Sequence, residues 1–237
     1  MEHFDLEKTL RDAGLAPGDD AIRKMKLFAR MVVDYNSLVN LTGARSIEEA
    51  EKVLVAQSIL PFSGYNVPRG TLLLDMGTGS GVPGVPLALV FEGISTILVD
   101  SNGKRTTFVE SVIEELGIED CRVVTARAEE LGREQEYREK ADILVSRGFA
   151  HPYVAMEMGA PLVKTGGMLF VYAPGTEKTL PAGMHAHAAD LGLVPGYEAM
   201  NRDTLGEGYV FVKKEATSDR FPRRYPAIKR AADKIQL

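Results

Sequence analysis

The chain has 237 residues, of which 45% are hydrophobic and 26% charged, with a formal net charge of −5. That length and composition hold one sizeable core domain plus a small appendage and exclude a disordered chain, while two full domains would be crowded. The sequence holds no uncharged apolar run of about 18 residues, and Met1-Glu2-His3-Phe4-Asp5 lacks a basic-then-apolar signal pattern, so a cytoplasmic protein with no membrane partner is expected.

Residues 1 to about 62 read as helical. Ala21, Ile22, Met25, Phe28, Ala29, Val32, Val33 and Tyr35 recur at three- and four-residue spacing, and Pro17-Gly18-Asp19-Asp20 supplies the start signal. A further helical stretch from Ile47 to Leu60 stops at Pro61, and Gly64 to Gly70 reads as a connector. From Thr71 onward, short apolar runs alternate with helical segments. The pattern predicts buried strands at Thr71–Met76, Ser95–Asp100, Arg122–Thr125, Ala141–Ser146 and Gly167–Ala173, with helices near 84–91, 103–117, 128–139 and 151–163. Such alternation predicts an α/β fold with a mostly parallel sheet and helices on both faces. Leu193–Ala199 and Gly208–Lys213 read as a closing antiparallel pair. The expected division is a helical extension over 1–64, a main domain over 65–215 and a basic tail over 216–237.

The single Cys121 can form neither an internal disulfide nor a thiolate cluster, and the four His show no ligand spacing, so no metal is expected. His185 and His187 read as solvated surface on different faces of a helix. Asn40-Leu41-Thr42 spells a glycosylation acceptor, which has no meaning without secretion.

The chemistry concentrates in Asp75-Met76-Gly77-Thr78-Gly79-Ser80-Gly81-Val82-Pro83-Gly84, directly after an apolar run. Gly77, Gly79 and Gly81 remove Cβ atoms where the chain must bend and lie against a ligand, and Val82 to Pro86 opens a helix whose first turn tolerates proline. Gly79-x-Gly81-x-x-Gly84 also fits a dinucleotide fingerprint. Asp75 argues against it, because a carboxylate beside a pyrophosphate costs about 1 kcal/mol at about 4 Å even in bulk water, whereas a cationic ligand gains. In an open parallel sheet, ligands sit beyond the carboxyl ends of the strands. Asp100 ends the second run, where a carboxylate can accept from two ribose hydroxyls, or can cap the helix that starts at Gly103.

An acid followed by Gly77-x-Gly79-x-Gly81, with an acidic end to the second strand, resembles the class I methyltransferases, whose cofactor S-adenosylmethionine carries a sulfonium and an ammonium but no phosphate. Asn40-Leu41-Thr42-x-x-Arg45, Gly81-Val82-Pro83-Gly84-Val85-Pro86-Leu87, Asp100-Ser101-x-Gly103-Lys104-Arg105-x-x-Phe108, Arg127-Ala128-Glu129-Glu130 and Ser146-Arg147 narrow this further. Between about residues 36 and 175 the chain is similar to the GidB or RsmG family, which methylates a guanine of bacterial small-subunit ribosomal RNA at ring nitrogen seven. The resemblance implies a Rossmann-like class I methyltransferase fold over 65–215. Asp75, Gly77, Gly79, Gly81 and Val82 would form the cofactor turn. Asp100 would meet the ribose, Ala128 and Glu129 the adenine, and Arg147 the methionine end or the acceptor base. A surface ion pair is the bland alternative for Arg147. The family's chemistry is in-line methyl transfer to a lone pair that carries no proton, leaving S-adenosyl-L-homocysteine and requiring no general base. Phe149 would stack on a base or lie in the core. At Leu54, Gln57 and Pro174 the chain departs from the family's usual residues.

Between Arg220 and Leu237 six basic residues stand against Asp233 alone, so this segment carries +5 and the remainder −10. A basic segment on an acidic body fits a polyanion contact or a solvated terminus. Arg45, Lys104, Arg105, Arg220, Arg223 and Arg224 are the candidate contacts to ribosomal RNA. Lys104 and Arg105 begin a helix, a poor place for cations, so a phosphate or a structural carboxylate must compensate. A monomer acting on small-subunit ribosomal RNA is expected. The alternatives are a methyltransferase of the same fold for another RNA or a small molecule, and a non-catalytic module that binds the cofactor.

Overall fold

The computed structural model describes residues 3–36, 42–173, 180–196 and 208–235, so Asn40, Leu41, Pro174 and Gly175 lie outside the described residues. The predicted apolar runs become β1 (Leu72–Met76), β2 (Ser95–Asp100), β3 (Cys121–Thr125), β4 (Ala141–Arg147), β5 (Val163–Tyr172), β6 (Leu193–Pro195) and β7 (Gly208–Lys213). They form one 7-stranded sheet in the order β3-β2-β1-β4-β5-β7-β6. The first five strands are parallel to one another, and β7 runs antiparallel between β5 and β6. Leu73, Leu74, Met76, Leu98, Leu144, Val145, Leu169 and Phe170 are almost wholly buried, as expected of strands covered on both faces. β5 starts at Val163 rather than Gly167. Its pairing with β4 shifts register between Ala141 and Ile143, where Gly166 takes a positive φ of 86° and lets the strand re-enter the sheet after a bulge.

The helices are α1 (Leu6–Asp12), α2 (Asp19–Asn36), α3 (Ile47–Ala50), α4 (Gln57–Ile59), α5 (Gly84–Val90), α6 (Gly103–Leu116), α7 (Ala128–Leu131), α8 (Pro152–Gly159), α9 (Ala182–Asp190) and α10 (Tyr225–Ala232). α3 and α4 are joined by a π-helical turn over Glu51–Ala56. The periodic residues Ile22, Met25, Phe28, Ala29 and Val32 of α2 are buried and share one core with Leu73, Leu98 and Phe170. The N-terminal helices therefore cover a face of the sheet.

Three expectations change. The helix expected over 128–139 ends at Leu131. Gly132 follows, and Arg138 donates to the carbonyls of Gly132, Phe221 and Thr217, so tertiary bonds override the helical propensity of this charged stretch. His187 is not solvated surface: it is 7% exposed and stacks on Tyr153 with ring centroids 3.7 Å apart. Nor is the basic segment a free tail. Phe221, Ile228 and Ala232 join Leu74, Leu144 and Met156 in the core on the second face of the sheet.

Candidate active site

The strand order reverses between β1 and β4, and the site sits at their carboxyl ends. Gly77, Gly79 and Gly81 all adopt positive φ, at 79°, 58° and 92°, conformations that side chains with a Cβ resist. A Cβ on Gly77 would overlap the Phe149 ring, and one on Gly84 would overlap Leu98 and Asp75. Asp75 lies beneath the turn, fully buried. One of its oxygens accepts from the Thr78 hydroxyl at 2.6 Å and from the Gly84 N–H at 2.9 Å. Its other oxygen, Oδ1, has no hydrogen-bond partner. Burial pushes its pKa up to about 7, against the pull of Thr78 and Gly84. Asp75 thus builds the turn from below, and it is not among the residues that line the cavity above it. Gly79, Gly81 and Val82 likewise shape the turn from outside the cavity wall. Gly81 backs onto Val85 and Phe28, and Val82 is buried.

Above the turn is a cavity of about 230 Å³, whose lining includes Gly77, Asp100, Arg105, Ala128, Glu129 and Phe149. Asp100 is 6% exposed and held from two sides: Oδ2 accepts from the Gly79 N–H at 3.0 Å and Oδ1 from the Asn102 N–H at 2.9 Å. It does not cap α6, because the side chain of Asn102 does so by accepting from the Lys104 N–H. Each Asp100 oxygen keeps lone pairs for a further donor. Arg105 stands 3.6 Å from Asp100, which supplies the carboxylate needed by a cation at this helix start. Lys104 is exposed. The cavity joins residues from four strand ends in a polar and apolar wall, and a nucleoside with a vicinal diol matches the donor-seeking carboxylate at its floor.

Arg147, at the end of β4, points elsewhere. Its guanidinium donates to Ser58 Oγ at 3.0 Å and Gln57 Oε1 at 3.3 Å, and lies 5.8 Å from the Tyr172 ring. Tyr172 in turn donates to the Ser58 carbonyl at 2.5 Å. Neither Ser58 nor Tyr172 was among the sequence-derived candidates, because only the fold brings α4 and β5 to this strand end. The Ser146 hydroxyl bonds the Met76 carbonyl at 3.0 Å, locking the ends of β1 and β4 together.

Among the basic candidates, Arg45 and Arg224 are exposed. Arg220 pairs with Asp190 at 3.2 Å and lies over the Phe221 ring. Arg223 is not a free phosphate contact. It clasps the fully buried Glu157, with Nε 2.9 Å from Oε1 and Nη2 2.5 Å from Oε2. His187 stands 3.4 Å from Glu157, yet burial first, then Arg223, lowers its pKa to about 4, so it is neutral at pH 7 and forms no ion pair there. The cavity also takes in Met158 and Tyr225, which the sequence reading did not select. A Pro at the second helical position and Ile228 and Ala232 at i and i+4 were the signals for α10. Among the described residues, no group of three His, Cys, Asp or Glu is placed to hold a metal ion, and no helix is long and apolar enough to cross a membrane.

Residues 21–181 match the family model for GidB, rRNA small subunit methyltransferase G. A ribosomal RNA small subunit methyltransferase G of Fervidobacterium nodosum is 37% identical over 194 residues, covering 80% of this chain and 88% of the relative. The protein of that name from Moorella thermoacetica is 31% identical over 221 residues, covering 90% and 91%. One from Clostridium perfringens is 30% identical over 229 residues, covering 94% and 96%.

Proposed function

The chain belongs to the GidB, or rRNA small subunit methyltransferase G, family, and from that premise we propose that it methylates ring nitrogen 7 of a guanine in small-subunit ribosomal RNA, using S-adenosylmethionine. The observation that carries the cofactor half is Asp100, buried at the cavity floor and oriented by two backbone N–H groups. When bound, the cofactor supplies an electrophilic methyl group on a sulfonium.

The chain's own residues hold and orient. Asp100 would accept from the two ribose hydroxyls. Ala128 and Glu129 would border the adenine, and Gly77 would let the backbone lie close to the ligand. Arg147, braced by Ser58 and Gln57 beside the cavity, would have to turn from them to reach the methionine end or the acceptor base. Nitrogen 7 of guanine presents a lone pair and carries no proton, so no side chain need act as a base. Alignment of donor and acceptor is then the main source of rate, an effect worth about 7–11 kcal/mol in well-oriented systems. Arg45, Lys104 and Arg224, all exposed, would supply phosphate contacts to the RNA. The same reading has a monomer act in the cytoplasm without a metal.

Deletion of the gene tests this: one 7-methylguanosine should disappear from small-subunit RNA when nuclease fragments are mapped by mass spectrometry. An unchanged modification profile would contradict the proposal.

A further inference from the structure

The geometry points to Tyr225 as the outer wall of the adenine end of the cofactor cavity, so that the C-terminal segment completes the cofactor site. This rests on the cavity being the S-adenosylmethionine site. Tyr225 opens α10 and lines the same cavity as Asp100, Ala128 and Glu129. It and Phe149 are the aromatic residues of that lining, and Tyr225 remains 38% exposed, so its ring is not spent on the core.

The segment that delivers it is fixed rather than loose. The Arg223 N–H donates to Glu157 Oε1 at 2.8 Å, in addition to the guanidinium clasp on the same buried carboxylate. Arg133 donates to the Pro222 carbonyl at 2.6 Å and Arg138 to the Phe221 carbonyl at 3.1 Å. A ring carried on a backbone held this way has only its own side-chain freedom to lose when a flat ligand slides against it. Its place argues for the adenine rather than the acceptor guanine. Arg147, which that reading puts toward the transfer end, is outside this cavity's wall and turned toward Ser58 and Gln57, whereas Tyr225 shares the cavity with Ala128 and Glu129.

Calorimetric titration of the full chain with S-adenosylmethionine and with S-adenosylhomocysteine tests this on wild type, Tyr225→Ala and Tyr225→Phe. The two ligands share the adenine and differ at the sulfur. Tyr225→Ala should weaken both about ten-fold, equivalent to about 1.4 kcal/mol. Tyr225→Phe should stay within about two-fold of wild type, since the ring is retained, and both variants should keep the wild-type melting temperature. Wild-type affinity for both ligands in Tyr225→Ala would overturn the inference while leaving the cofactor reading intact. A loss confined to S-adenosylmethionine would put the ring at the sulfonium instead. Unchanged cofactor affinity with a raised KM for RNA would put it at the acceptor base. Failure of the wild type to bind either ligand would remove the cofactor reading itself.

Discussion

The glycine turn and the C-terminal segment border one cavity but are built in opposite ways. The turn is held by bonds across short stretches of chain: Thr78 and Gly84 to Asp75, and Gly79 to Asp100. The segment from Thr217 to Tyr225 is held by bonds that span 66 to 89 residues, to Glu157, Arg138 and Arg133. A locally closed element carries its conformation in its own spelling. An element closed at long range depends on the rest of the fold and shows in sequence only as composition.

The largest expected effect separates structural from ligand-facing cations. Arg223→Ala leaves the buried Glu157 carboxylate without its guanidinium and should cost about 3 kcal/mol in urea unfolding, near the low end for broken buried pairs because Arg223 is partly exposed. Arg224→Ala, one residue away and exposed, should cost under about 0.5 kcal/mol. Equal costs would erase the distinction between a clamped segment and a solvated tail.

Next in size, Asp100→Ala should weaken S-adenosylmethionine binding by about 2 kcal/mol, the scale of hydrogen bonds to a charged group, with unfolding far less affected. Calorimetry reads it directly. Tight binding of NADH by the wild type, with none of S-adenosylmethionine, would break the assignment of the turn.

Asp75 of the turn and His187, which packs against Phe221 of the C-terminal segment, should also titrate in opposite directions. Asp75 has its pKa raised from 3.8 to about 7, so its contribution favours folding below about pH 4 and is lost as pH rises toward 7. Asp100 adds to that rise and Arg147 opposes it. His187 has its pKa lowered from 6.5 to about 4, so its contribution is present above about pH 6.5 and is lost as pH falls toward 4. Each group changes stability by at most about 1.4 kcal/mol per pH unit. Asp75→Asn should flatten the fall on the alkaline side of a plot of urea-unfolding free energy against pH, and His187→Gln the fall on the acid side. A profile that neither variant alters would show that neither burial matters.

The smallest effects belong to the exposed cations. Arg45→Ala, Lys104→Ala and Arg224→Ala should each reduce the slope of log affinity for ribosomal RNA against log salt by about 0.7–0.9. Binding assays at several salt concentrations measure this, and an unaltered slope would remove that residue from the interface.

The same contrast explains what the sequence disclosed. The strands Leu72–Met76, Ser95–Asp100 and Ala141–Arg147 were legible within a residue because continuous apolar runs end at turn residues. The α2 start at Asp19, the turn glycines and Asp100 were legible because each depends on nearby chain. That Asp75 lies buried beneath the turn was not legible, because burial is a tertiary fact. The Arg223–Glu157 clasp, the burial of His187 and the place of Tyr225 were not legible for the same reason: Glu157, Tyr153 and the cavity wall are assembled from distant elements. The bounds of α9 were not legible, since it buries only Met184, His187 and Ala188 and gives little periodicity.

Methyl transfer itself is the most direct test. Purified protein is incubated with methyl-labelled S-adenosylmethionine and small ribosomal subunits from a strain lacking the gene, and the RNA is digested and its nucleosides separated by mass spectrometry. Label should enter 7-methylguanosine at a single position, and Asp100→Ala should slow its entry. Label in another nucleoside, or none in RNA with an active cofactor site, would contradict guanine nitrogen 7 as the acceptor.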